Sequence, residues 1–265
     1  TRYARTGSGA ARVTTRVRLG VFAIPASALL TALVLLAVGV PVASLAYWLA
    51  TGSSADVDLG QLAETTATSL HLGLIGAAVT TAAAIPIAWL AVRRRGWLST
   101  SVERASYISS ALPGIVVALA LVTIVIRVLP DLYQTTAVLI AAYAMLFIPR
   151  AIVSLRASLA QAPPVLEDVA AALGHSRVAV LGRVTLPLVA PGLGAGAALV
   201  FLAVVTELTA TMLLAPTGTA TLATQFWSHS GSVAYAAAAP YAAVMVLISA
   251  PATYLLTRKL TREAS

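Results

Sequence analysis

Nine carboxylates, three histidines and no cysteine are the side chains available for chemistry in 265 residues. The missing cysteines exclude disulfides, thiolate metal sites and cysteine nucleophiles. His71, His175 and His229 stand far apart and form no metal-ligand spacing. His71 and His229 read as polar residues near helix ends, and His175 directly follows Gly174. No Ser/His/Asp set, HExxH motif or pair of catalytic carboxylates argues for an enzyme. A phosphate-cradling P-loop is also missing, and Lys259 is the only lysine, so nucleotide hydrolysis would fall to another polypeptide. Two places remain. Glu207 lies within the apolar run "FLAVVTELTATMLLAP", with Thr206, Thr209 and Thr211 around it. An ionisable residue inside a membrane span is costly and marks a pathway or gate; the alternative is a Glu hydrogen-bonded between helices. The second place is "EDVAAALGHSRVAVLGRVTLPLVAP", residues 167–191, where acids, a His and two Arg interrupt an apolar chain.

The elements that must hold these residues follow from composition. The chain is 59% apolar and 10% charged, with a mean hydropathy of +0.92. A soluble domain carries about 25% charged residues, so the composition predicts a polytopic membrane protein. Six apolar stretches near the ~20-residue spanning length are expected at about 21–49, 67–92, 107–128, 132–153, 188–214 and 235–257. The first is long and contains Pro25 and Pro41, which predicts tilting or kinking.

Charge orients the spans. Arg2, Arg5, Arg12, Arg16 and Arg18 precede the first. Arg93, Arg94, Arg95 and Arg104 fall between the second and third; Arg150, Arg156, Arg177 and Arg183 around the fourth-to-fifth loop; Arg258, Lys259 and Arg262 at the end. Only Arg127 falls on the other side, with Asp56, Asp58, Glu64 and Asp131; the first three of these acids read as a solvated face. The positive-inside rule then places both termini and the Glu167 loop in the cytoplasm. An even number of spans agrees. This asymmetry explains a pI near 10.4 without nucleic acid, for which no base-reading face is present. The division expected is a basic segment over 1–20, a membrane domain over 21–258 with a loop at about 155–187, and a tail over 259–265. The Gly/Ser-containing, Arg-rich opening reads as a linker, which suggests the second half of a longer polypeptide or a processed fragment.

The loop predicts a helix–turn–helix. Pro163-Pro164 suits a helix start, Glu167 and Asp168 suit its positive end, and Ala170, Ala171, Ala172 and Leu173 propagate it. Gly174 is placed for a left-handed helix end. A second helix from about Arg177 would show Val178, Leu181, Val184 and Leu188 on one face. Pro187 is expected to break it before the fifth span. A plain connector needs only a few residues. Periodicity leaves two readings open: an interfacial loop without a partner, or a docking element.

The spacing resembles the EAA motif of ABC importer permeases: Glu-Ala-Ala, three residues, Gly, nine residues, Ile-x-Leu-Pro. Asp168-Val169-Ala170 occupies the first triplet, Gly174 follows at the required distance, and Val184-Thr185-Leu186-Pro187 closes the pattern. Asp for Glu and Val for the first Ala are departures. The resemblance implies an all-α bundle of six spans with a cytoplasmic coupling helix, the type I ABC importer permease fold. It assigns ATPase coupling to Glu167, Asp168, Ala170, Ala171, Gly174, His175, Leu186 and Pro187. It further implies two ABC ATPase subunits carrying ATP and Mg, a second permease half, fused or separate, an extracytoplasmic binding protein, and a place in a bacterial inner membrane. No cofactor is expected on this chain.

A second segment, 206–228, resembles ferric-iron-type permeases, in which Glu-Leu-x-Ala-Thr-x-Leu-Leu-x-Pro and then Thr-Leu-Ala-Thr-x-x-Trp follow the loop. Glu207, Leu208, Ala210, Thr211, Leu213, Leu214 and Pro216 match, as do Thr221, Leu222, Ala223, Thr224 and Trp227. The resemblance points to the second six-span half of a fused permease and to iron as cargo. Thr206, Glu207 and Thr209 are the candidate pathway residues. Thiamine-, polyamine- and sulfate-type permeases share the loop. An ion-coupled secondary transporter with Glu207 as its ion site is the competing reading, though it needs no 30-residue docking loop.

Overall fold

The computed structural model describes residues 20–52, 58–93 and 96–263. The Arg-rich opening expected as a linker, together with Asp56, Arg94 and Arg95, lies outside the described residues. So do the side chains of Arg177 and of positions from 255 onward, including Arg258, Lys259 and Arg262. Among the described residues all regular structure is helical: α1 (Gly20–Thr51), α2 (Leu59–Arg93), α3 (Trp97–Ala111), α4 (Gly114–Val128), α5 (Thr136–Gln161), α6 (Pro164–Ala172), α7 (177–205), α8 (Thr209–Leu214), α9 (Leu222–Gly231) and α10 (Tyr235–Glu263). Thr1–Tyr47 and Trp48–Ser265 form two compact units. Within the first, α1 is apolar all round and passes through a π-helical turn at Leu35–Gly39, between Pro25 and Pro41.

In the second unit α2, α5 and α7 pack on one another and form the core. Leu72, Leu139, Tyr143, Ile152, Leu155, Val200 and Val204 are buried between them. In lipid, helix association relies on close backbone approach over small residues, and two glycines show where it happens. A methyl built on Gly73 would come within 2.8 Å of the Phe201 ring. One built on Gly192 would fall onto the Ser158 side chain and 2.9 Å from the Ser154 carbonyl oxygen. Several polar groups in the core find partners inside the protein, as a waterless environment favours, whereas the Thr80 and Thr81 hydroxyls of α2 are buried without one. Ser69 accepts the Leu222 N–H at 2.8 Å, and the Tyr143 and Thr211 hydroxyls meet at 2.7 Å.

Among the described residues six apolar helices are present, of which five have spanning length: α1, α2, α5, α7 over Val178–Val205, and α10 over Tyr235–Tyr254. The third expected span, 107–128, is interrupted. Leu112 is extended (ψ 137°), as a residue before proline prefers, and Pro113 opens a new helix. The apolar piece α4 has 15 residues, about 22 Å, short of the ~30 Å hydrocarbon core. The second span starts earlier than expected because Asp58 caps it. The Asp58 carboxylate accepts the Gly60 and Gln61 N–H groups at 2.8 and 3.0 Å, and α2 runs 35 residues. Asp58 is thus a cap, whereas Glu64 is exposed on α2. His71 lies inside α2 rather than at its end, and His229, in the last turn of α9, stacks on Tyr241 at 5.4 Å between ring centroids.

The expected break at Pro187 does not occur. The chain stays helical from 177 to 205 through Arg177–Val180, a π-helical Leu181–Thr185 and Leu186–Val205. The π turn has already disrupted the i to i−4 ladder where the ring would clash and the N–H would be missed, so the proline is absorbed. The same turn shifts the buried face. Val180, Thr185 and Val189 point inward, while Val178, Leu181 and Leu188, expected together with Val184 on one packing face, are exposed and Val184 is half-buried.

Candidate functional site

The elbow of α6 and α7 is built as a rigid tip. Pro164 occupies the first turn of α6. At its end Gly174 has φ +85°, a backbone region that favours glycine. The His175 N–H donates to the Ala170 carbonyl at 3.2 Å and the Gly174 N–H to the Ala171 carbonyl at 3.0 Å. This paired return is the Schellman closure of a helix end. Ser176 then caps α7, its hydroxyl accepting the Ala179 N–H at 3.3 Å. A serine directly before a helical run is an N-cap signal, and it was available in the sequence.

The two acids of the elbow differ in exposure and in partners. Asp168 is exposed, together with Ala171, Val169, Leu173, Gly174, His175 and Val178, so the described side chains of the tip form a largely apolar surface that includes an acid and an imidazole. Ala170 is buried on the inner side. Glu167 turns inward: its Oε1 accepts from Arg93 Nη2 at 2.9 Å and from the Thr185 hydroxyl at 3.2 Å. Leu186 and Pro187 lie on α7 just past the π turn and are exposed. A cleft of about 830 Å³ runs behind the tip, between Pro86, Trp89 and Leu90 of α2 and Asp168, Ala171 and Leu181 of the elbow. Arg93 and Thr185 were not singled out from sequence. Arg93 carries no local signal, being one of three consecutive arginines, and Thr185 turns inward only because of the π turn.

Glu207 occupies a break of its own. α7 ends at Val205, Thr206 and Glu207 leave the helix, and α8 starts at Thr209. The Glu207 carboxylate accepts the Ala210 N–H at 3.0 Å, so it caps α8, and its backbone carbonyl accepts the Thr211 hydroxyl at 2.8 Å. Thr211 in turn meets Tyr143 of α5. A methyl built on Gly114, the first residue of α4, would lie 3.9 Å from the carboxylate, so both interrupted helices converge here. Thr206 donates its hydroxyl to the Leu202 carbonyl at 2.9 Å, and Thr209 is half-buried. Thr206 and Leu208 also line a cleft of about 830 Å³ whose other walls include Phe226, Trp227, Met245 and Ser249. Among the described residues no group of three or more His, Asp or Glu side chains comes together to hold a metal ion. The elbow and the break both belong to the second unit.

Comparisons with known proteins bear on this geometry. A family model described as binding-protein-dependent transport system inner membrane component matches residues 81–260, which include both the elbow and the break. A Haemophilus influenzae protein named Fe(3+)-transport system permease protein FbpB 2 is 41% identical over 226 residues, 84% of this chain and 45% of that one. A Streptomyces antibioticus protein named putative ABC transporter permease protein ORF1 is 31% identical over 140 residues, 53% of this chain and 60% of that one. The chain thus spans about half the length of these curated relatives. In structure it matches a chain of the MetNI methionine ABC transporter, solved in inward-facing conformations, with a TM-score of 0.60. That match is 16% identical and covers 77% of this chain and 96% of the other, and it supports the fold of an ABC importer permease.

Proposed function

We propose that this chain, which belongs to the family of inner membrane components of binding-protein-dependent transport systems, is the membrane half of an ATP-driven importer of ferric iron. The observation that carries the coupling role is the tip at Gly174: a closed helix end whose apolar side chains Val169, Leu173 and Val178 are exposed among the described residues. A separate ATPase subunit, holding ATP and Mg, would receive Val169, Leu173 and Val178 in a groove, with Asp168 and His175 beside them. Ala171 gives that surface its smooth contour, and Leu186 and Pro187 join it to the span. Closure of two such ATPases would then rock the helices between inward- and outward-facing states by rigid-body movement. The iron assignment rests on the Haemophilus relative's name and on the shared segment from Glu207 to Trp227. A second permease half, fused or separate, and an extracytoplasmic binding protein complete the assembly. The charge asymmetry supports an orientation with the elbow and both termini in the cytoplasm.

Thr206, Glu207 and Thr209 are proposed to line the pathway at its interrupted helices. Selectivity is expected to reside mainly in the binding protein. The test is uptake of radioactive ferric iron by proteoliposomes containing the whole transporter and its binding protein. Uptake is expected to require ATP, to persist with a proton uncoupler, and to coincide with a co-purifying ATPase. Uptake that collapses with the uncoupler and ignores ATP would replace this reading with an ion-coupled one.

A further inference from the structure

We infer that Arg93 is a positioning residue that locks the elbow to the ends of three spans at once; this rests on the coupling role proposed above. The elbow is joined covalently to α5, which precedes it, and to α7, which continues from it. Nothing in chain connectivity ties it to α2. Arg93 supplies that tie. It is the last residue of α2, and its Nη2 donates both to the Ala162 carbonyl at the end of α5, at 3.1 Å, and to Glu167 Oε1, at 2.9 Å. The same carboxylate oxygen accepts from Thr185, within the π turn of α7. One guanidinium and one carboxylate therefore join α2, α5, α6 and α7 at a single point.

The pair is largely withdrawn from water, with 11% of the Arg93 side chain and 23% of the Glu167 side chain exposed. It thus differs from the screened surface pairs that contribute little. Arg93 Nε is buried without a hydrogen-bond partner. Stability alone is a weak reason to keep such a group, since desolvated charges are costly and apolar replacements are often tolerated. A specific geometric task is a better one. The two adjacent acids differ accordingly: Asp168 is exposed, whereas Glu167 bonds to the spans. Displacement of the tip is then delivered to α2 together with α5 and α7, and not to its covalent neighbours alone.

The experiment measures iron uptake and ATP hydrolysis in one proteoliposome preparation of the complete transporter. Arg93→Met is expected to retain the ATPase subunits and their hydrolysis while uptake per ATP falls about tenfold, a typical size for a lost coupling between sites. Arg93→Lys, which keeps charge and donors, should recover part of the ratio. The exchanged pair, Arg93→Glu with Glu167→Arg, should restore part of what Arg93→Glu alone loses. If the Met variant does not assemble, Arg93→Gln, which keeps a donor and loses the charge, decides by the same ratio. An unchanged ratio in the neutral variants, or an exchanged pair no better than Arg93→Glu, overturns the role of Arg93. A wild-type transporter that holds no ATPase would instead bring down the coupling role on which this one rests.

Discussion

At Gly174 the chain turns through left-handed backbone and hands its hydrogen bonds back to α6, whereas at Glu207 a side chain bends in to cap the helix that follows. The first turn leaves Leu173 and Val178 exposed around it; the second is hemmed in by Tyr143, Thr211 and Gly114. Each region also holds a carboxylate, put to a different end. Glu167 reaches across to other helices, while Glu207 satisfies the backbone beside it. An outward turn with an inward acid suits an element that must grip its own spans and present a surface. A turn closed on itself suits a point where helices stay interrupted without water.

The contrast is best broken at the tip. Gly174→Asp should leave membrane insertion intact and weaken ATPase docking by about 3 kcal/mol, roughly a hundredfold, because it places an unpaired charge in a desolvated contact. Co-purification with the ATPase and uptake are the readouts. Gly174→Ala, which carries the backbone strain without the charge, should lose far less. Normal docking in the Asp variant would show that the tip is not the contact.

At Glu207 a pair of substitutions separates pathway from cap. Glu207→Gln keeps an acceptor for the Ala210 N–H and should largely retain thermal stability in detergent, while lowering uptake about fivefold, the equivalent of about one hydrogen bond along the pathway. Glu207→Ala also removes the cap and should cost about 1 kcal/mol of stability. Uptake that follows stability, unchanged in Gln and reduced in Ala, would leave Glu207 only its cap. The smallest effect is expected at Ser176→Ala. Loss of that cap should cost about 1 kcal/mol locally, visible as faster hydrogen exchange over 176–180 with uptake nearly normal.

Hydropathy made the spans legible because lipid demands long apolar helices, and the left-handed turn was legible because so few residues accept positive φ. What escaped the sequence was local competition within those spans. Residues 107–128 are mostly apolar and read as one span, yet Leu112-Pro113 divides them. Pro187 looked like a stop, yet the preceding π turn absorbs it and carries Thr185 to the buried side. The Asp168-Val169-Ala170 match put weight on Asp168, while the carboxylate that bonds to the spans is Glu167. Facing direction depends on the phase of a helix, and a single π turn resets it. Glu207 was legible as exceptional, but its use as a cap depends on a break between α7 and α8 that the unbroken apolar pattern concealed.

The length of α2 has a mechanical consequence. Its 35 residues make a continuous helix of roughly 52 Å, clasped at one extremity by Arg93 and, about 15 Å in from the other, through Ser69 to α9. For a shaft of that length, a pivot of about five degrees at the first clasp sweeps the opposite extremity through about 4.5 Å. That is comparable to the one-turn helix displacements by which proteins switch state. Small angular work at one mouth of the bundle is therefore geometrically enough to open or shut the other.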